Sequence, residues 1–346
     1  MTIFDLVQSQ ELTAYWEVLA QHEAPYPCEE LFPANKKRGL DLKWIKGAQG
    51  LPVVLKASAF DAAAVPRPRI GFEKLSAEMP YFKESTYIDE ELRQELNIVL
   101  ETGNQAYIDS VMNRVFDDET RLLRGARATR ERMRMQALTT GSIAMASNGQ
   151  YYYYDYGIPA ANKVSPALNW DNNTADPIED IRKLREDISD RTGKLCTRGM
   201  CDQKTWKALR NNPVIKNAIY AIKPIVGAVT DSMLREFISD QLDGFTVVVN
   251  TKKYVDENGK TNSFMPDNTF VMFPDGALGN TWFGTTPAES DLMSGNAANV
   301  SITDTGVAVV TRQLVDPVQV DTIASMICLP SFETADSVGI IDTHAH

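Results

Sequence analysis

Histidine is nearly missing from this chain: among 346 residues there are three, His22, His344 and His346. That scarcity removes the usual acid–base residue and most multi-histidine metal sites. There is no His-Glu-x-x-His pair, no Gly-x-Ser-x-Gly elbow and no phosphate loop with its lysine. Cysteine is sparse too. Cys28, Cys196, Cys201 and Cys328 are scattered along a long chain, which argues against a disulfide framework. Cys196 and Cys201 lack a second pair to complete a tetrahedral metal site, so they read as buried, idle thiols. No apolar run approaches the ~18 residues a membrane span requires. The start, MTIFDLVQSQELTAYW, lacks the basic, apolar and small-residue parts of an export signal. Positive charge is in deficit: the net charge is -11, which argues against a bulk surface that grips nucleic acid. The expectation is a soluble, cytoplasmic chain without cofactor or metal.

What is present begins with one long helical run, Gln105 to Leu138. Ile108, Val115 and Leu122 lie seven apart, Val111 fills the gap, and Ala126, Met133 and Ala137 continue the stripe. This period predicts a helix of roughly 50 Å with one narrow apolar seam. Arginines at 121, 124, 127, 130, 132 and 134 follow a spacing near three and occupy one flank. No aromatic residues interleave with them, so a solvated or inter-subunit salt-bridged face is favoured over a nucleic-acid stripe. Asp117, Asp118 and Glu119 nearby read as solvated carboxylates.

Residues 1–48 read as an arm. Ile3, Leu6, Val7, Leu12 and Trp16 predict a short amphipathic helix, extended by Val18 and Leu19. The proline-rich HEAPYPCEELFPANKKRG suits an extended, partner-dependent segment, and LDLKWI a strand. Strands beginning at Val53–Leu55 and Arg69–Phe72 flank an alanine-rich excursion with too little apolar surface to hold itself down. Arg67 and Arg69 there are solvated charges or, in the sharper reading, inter-subunit ion pairs. A helix is expected after Thr86, stopped by Gly103.

Beyond Gly141 the texture turns to β with QYYYYDYG, read as core or interface packing. A helix opens at Asp176-Pro177 and stops at Gly193, with Ile178, Ile181, Leu184 and Ile188 on its apolar face. Another runs from Gln203 to Arg210. A hairpin is predicted around Glu257-Asn258-Gly259-Lys260, followed by the buried strand FVMF. GALGNTWFGTTPAES is expected to be loop. The last strands break at Pro317. Irregular alternation of helix and strand indicates α+β.

Two resemblances follow. GIIDTHAH resembles the Asp-Thr-His-x-His strand end of metal-dependent amidohydrolases, which implies a metal-dependent hydrolase using His344 and His346 as the alternative function. That family needs a long chain after the motif, whereas this one stops at His346. The broader resemblance is to tailed-phage major capsid proteins, the lambda head protein E family. It is carried by YVDENGKTNSFMPDNTFVMFPDGALGNTWFG at 254–284, with FKESTYI and DPVQVDTIASMICLP as weaker matches and the order of segments as support.

This second resemblance implies the Hong Kong phage type of capsid fold. An N-terminal arm would span 1–48 and an extended loop 49–85. A peripheral domain with the spine helix would span 86–171, an axial domain 172–305, and returning C-terminal strands 306–346. The implied function is structural, not enzymatic. Copies of a bacteriophage or prophage chain would form hexamers and pentamers of an icosahedral virion shell, assembled in the bacterial host cytoplasm around DNA bound without sequence specificity. Implied partners are other copies, a portal, a separate scaffold protein and a decoration protein, with no membrane. Arg67, Arg69, Arg121, Arg124, Arg127 and Arg130 are the expected inter-subunit contacts.

Overall fold

The computed structural model describes residues 8–46, 73–88, 90, 94, 97–98, 105–147, 149–222, 227–292, 298–315 and 318–344. The expected excursion with Arg67 and Arg69, and most of the helix expected after Thr86, lie outside the described residues. Two compact units divide the chain. The first takes Met1–Leu42, Ala77–Arg134 and Asn280–Ser331; the second takes Lys43–Ser76, Met135–Gly279 and Phe332–His346.

The first unit opens with α1 (Ser9–His22). Leu12 and Trp16, four apart, are fully buried, and the helix packs on two strands of its own unit, described below. α2 (Pro27–Leu31) carries proline in its first turn, where no N–H is needed; Cys28, Leu31 and Phe32 are buried. β1 (Ala34–Lys36) follows. α1 is the amphipathic helix expected from Leu12 and Trp16, whereas 27–36, expected to be extended and partner-dependent from its prolines, instead forms α2 and β1. Its apolar residues are too widely spaced to form a local core, but they complete a core supplied by distant strands. β2 (Asp41–Lys46), the strand expected in LDLKWI, pairs with β3 (Glu73–Glu78), and four residues of each strand belong to the second unit. β4 (Tyr81–Ile88) had no strand expectation. α3 (Gln105–Thr140) is the long helix. Met112, Val115, Leu123, Met133 and Ala137 are buried, with Leu122 only half-buried beside Leu123. A strict heptad drifts by about 20° on a straight helix, so the buried stripe steps sideways.

In the second unit Gly141, at φ +77, ends α3; a Cβ there would meet Ile158 at 2.9 Å. β5 (Ser142–Ser147) and β6 (Gln150–Asp155) form an antiparallel hairpin. β7 (Lys163–Val164) precedes α4 (Pro177–Thr192), the helix expected between proline and Gly193. Asp176 caps it by accepting the Glu179 N–H at 3.2 Å, and Gly193 closes it at φ 70. β8 (Arg198–Cys201) leads into α5 (Gln203–Asn211), capped by Asp202. α6 (Pro213–Ile222) and α7 (Asp231–Gln241) had no helix expectation. β9 (Thr246–Val249) follows, then the hairpin β10 (Lys253–Val255) and β11 (Thr261–Ser263), as the Asn-Gly turn indicated. β12 (Thr269–Phe273) is the buried FVMF strand.

β13 (Asn280–Phe283) corrects the loop expected in GALGNTWFG. It pairs parallel with β1 and antiparallel with the later β16. Glycine flanks it because space is short: a Cβ on Gly284 would meet Ile327 at 2.8 Å. β14 (Asn299–Thr303), β15 (Val307–Val315) and β16 (Val318–Ser331) complete a sheet ordered β1-β13-β16-β15-β14, with β4 also on β16. β17 (Gly339–Asp342) enters the second unit's sheet, ordered β7-β17-β12-β8-β9. Ile181, Leu184, Trp206, Leu234, Phe245 and Phe270 belong to that unit's core, drawn from all four helices α4–α7 and one face of the sheet. The architecture is α+β.

Candidate functional site

The arginine flank of α3 is met by a cluster of carboxylates from its own unit. Arg121 is exposed. Arg124 Nε donates to Glu23 Oε1 at 2.8 Å. Arg127 grips Glu29 with two bonds, Nε to Oε1 at 2.8 Å and Nη2 to Oε2 at 3.0 Å, a fork geometry that fixes orientation as well as charge. Its guanidinium also lies 5.5 Å from the Tyr26 ring centre. One turn on, Arg130 Nη2 donates to Asp304 Oδ2 at 2.6 Å, and its guanidinium stands 5.6 Å from the Phe283 ring centre. Asp304 Oδ1 accepts the Trp16 indole N–H at 3.3 Å. One carboxylate in the turn before β15 thus ties α1 and α3 to the sheet. Asp304 holds this place at φ 47, a left-handed conformation that Asp tolerates better than most residues.

Deeper still, Glu131 is 0 % exposed and Arg134 4 %. Glu131 Oε1 accepts the Cys28 N–H at 3.1 Å, Arg134 Nε donates to Thr281 Oγ1 at 2.9 Å, and the two charges approach to 3.7 Å. Burial pushes the Glu131 carboxyl up, against the lowering pull of Arg134. Burial likewise lowers Arg134, against the support of Glu131. Glu29 behaves oppositely. Burial raises it, but the bonds and charge of Arg127, helped by Arg134, outweigh that and hold it below the usual carboxylate range. Arg127 is raised by its bond to Glu29.

The carboxylates of this arrangement are engaged by arginines and a backbone N–H, a pattern that fastens segments together. Cys28 beside it is pushed well up by burial and remains a thiol. Mechanically it is a clasp that fastens residues 23–31 and the Asp304 turn to α3. The carboxylate half of the clasp (Glu23, Glu29, Glu131 and Asp304) was not singled out from the sequence. The one available signal was sign: acidic residues in an otherwise unsupported segment, and a basic flank elsewhere needing counter-charges.

His344 is exposed, with Nδ1 3.6 Å from Asp171 Oδ1, on a cleft of ≈ 360 Å³ shared with Lys204, Lys207 and Asn268. His346 lies outside the described residues, and His22 sits in α1 of the first unit. Among the described residues no group of three or more His, Cys, Asp or Glu side chains is placed to hold a metal. Cys196 and Cys201 are buried, and burial drives the Cys196 thiol up to about 12. No helix among the described residues is long and apolar enough to cross a membrane.

Comparison with known proteins agrees with this reading of a structural chain. The family model of phage major capsid protein E matches residues 9–340. No curated protein matches the sequence. Among solved structures, a phage-related protein from Bordetella bronchiseptica RB50 is similar with a TM-score of 0.55 at 14 % identity, covering 97 % of each chain. The capsid of cyanophage A-1(L) is similar with a TM-score of 0.51 at 12 % identity, covering 91 % of each chain. At such identities the likeness is one of fold, that of tailed-phage major capsid proteins, and the family's role is structural and not catalytic. By the match along nearly its whole length, this chain belongs to the phage major capsid protein E family.

Proposed function

We propose that the chain forms an icosahedral head shell of hexamers and pentamers around double-stranded DNA, assembled in the host cytoplasm with portal and scaffold proteins. The observation that carries this reading is the family match over residues 9–340. The net charge of -11 supports a container that does not adhere to the DNA it encloses. Arg127 and Arg130 are held by their own chain. We assign contacts between copies to Arg121 and Arg124, which stay exposed on α3 although Arg124 also pairs with Glu23, together with Arg67 and Arg69. Negative-stain microscopy of the expressed full chain should show shells, tubes or capsomers. A strictly monomeric species at every salt concentration, with and without scaffold, overturns the reading. Deleting residues 56–72 should leave a cooperative melt while blocking assembly; loss of the melt itself would refute that division of labour.

A further inference from the structure

The β5–β6 hairpin carries an exposed aromatic face. Strand alternation sends Ile143 and Met145 inward, 0 % and 5 % exposed, with Tyr152 and Tyr154 half-buried beside them. The opposite face holds Tyr151 directly across from Ala146 and Tyr153 directly across from Ala144. Tyr151 is 69 % and Tyr153 56 % exposed, and both alanines are exposed as well. The face is thus a ridge of two phenol rings beside a shelf of two methyl groups. Tyrosine is the residue type that protein interfaces concentrate, because it buries much apolar area while keeping a polar tip.

A second property is independent of the rings. Among the described residues the sheet contains β5 and β6 alone, with no further strand on either edge. Exposed edges are ordinarily guarded by lysine, glutamate or proline against pairing with other chains. Residues 142–155 include no lysine, arginine, glutamate or proline, and one charged residue, Asp155 at the base, in a chain that is 23 % charged.

We propose that this outer face, Tyr151 and Tyr153 over Ala144 and Ala146, is a contact with a second copy of the same chain in the assembled shell. The inference rests on the shell reading above. Charge identifies the occupant: two copies at -11 repel over most of their surfaces, and a nearly uncharged face lets them meet without that cost. Area sets the context. Aromatic side chains bury about 150–250 Å² each when fully covered, so the two exposed rings offer on the order of 200–300 Å². A stable isolated pair needs about 800 Å² per partner. The face is too small to hold a dimer alone and adequate as one of several contacts made together in a shell.

The test uses the full chain with the photo-crosslinker p-benzoylphenylalanine in place of Tyr151, irradiated in assembled particles and in unassembled protein at equal concentration. A covalent dimer of the chain in particles only is expected. Crosslinking to another protein, or no chain-to-chain product in particles, overturns the proposal. Alongside it, Tyr151→Ser with Tyr153→Ser should cut shell yield at least tenfold with an unchanged melt. If that pair disturbs folding, Ala146→Lys removes nothing from the hairpin and places a charge on the same face, with the same loss expected. Shells at wild-type yield from Ala146→Lys overturn the proposal, whereas a wild-type chain that forms no shells overturns the shell reading itself.

Discussion

Each unit buries arginine, and the two do it differently. In the first, Arg130 and Arg134 sit beside carboxylates, Asp304 at 2.6 Å and Glu131 at 3.7 Å. In the second, Arg185 is 5 % exposed and donates to two backbone carbonyls, Cys196 O at 2.8 Å and Leu242 O at 2.7 Å; its nearest carboxylate, Asp243, is 4.0 Å away and largely in solvent. Carbonyls do not titrate, whereas carboxylates do. The first unit therefore joins segments far apart in sequence with groups that respond to acid. The second uses its arginine as a fixed splint between α4, the approach to β8 and the end of α7.

The largest effect is expected from Arg134→Met. It leaves the Glu131 carboxylate buried without its opposite charge, and should cost about 3–5 kcal/mol in urea unfolding at neutral pH. Arg185→Met should cost less, about 2–3 kcal/mol, because it strands two neutral carbonyls and no charge. Its cost should be the same at pH 7 and pH 5; a pH-dependent loss would erase the distinction between the units. Glu29→Gln removes half of a fork that is partly open to solvent, so about 1 kcal/mol is expected, shrinking as salt is raised.

The smallest effect is read from pH alone. Glu131 is raised in the fold, so the folded state binds its proton more readily than the unfolded chain does. Its contribution is fully present below the unfolded carboxylate value and is lost as pH rises through the raised one. Glu29 is lowered, so its contribution is present above the unfolded value and is lost as pH falls through the lowered one. Melting temperature of the wild type should therefore gain relative to Glu131→Gln on moving from neutral toward mildly acidic pH. Relative to Glu29→Gln it should fall at more acid pH. Parallel curves for all three proteins would show that neither carboxylate is linked to folding.

Elements with local signals were legible in the sequence. α4 had its proline, its Asp176 cap and Gly193; the β10–β11 hairpin had Asn-Gly; α3 had its period. What escaped was defined by partners elsewhere in the chain. β13 looked like a glycine-rich loop because four residues between β1 and β16 need no pattern of their own once both neighbours supply the ladder. The segment 9–36 looked unsupported because its support, Thr311, Ser301, Asp304 and Glu131, comes from residues more than a hundred positions away. Charge spacing found the arginine flank but not its counter-charges. Helical spacing identifies a face and carries no information about what meets it.

The pairing of β1 with β13 has a consequence for the order of events during synthesis. Asn35 and Asn280 hydrogen-bond across 245 positions, and the bulk of the second unit, Met135–Gly279, lies between them. When residue 134 leaves the ribosome, Glu23 and Glu29 can already find Arg124 and Arg127, but β1 has no strand to join. At the ~5–20 residues per second of translation, that wait lasts on the order of ten seconds or more. During it the pairs Arg124–Glu23 and Arg127–Glu29 can form, while Thr311, Ser301 and Asp304 are still to come. A nascent chain halted near residue 280 should therefore protect Glu23–Leu31 from protease while leaving Ala34–Lys36 open to cleavage.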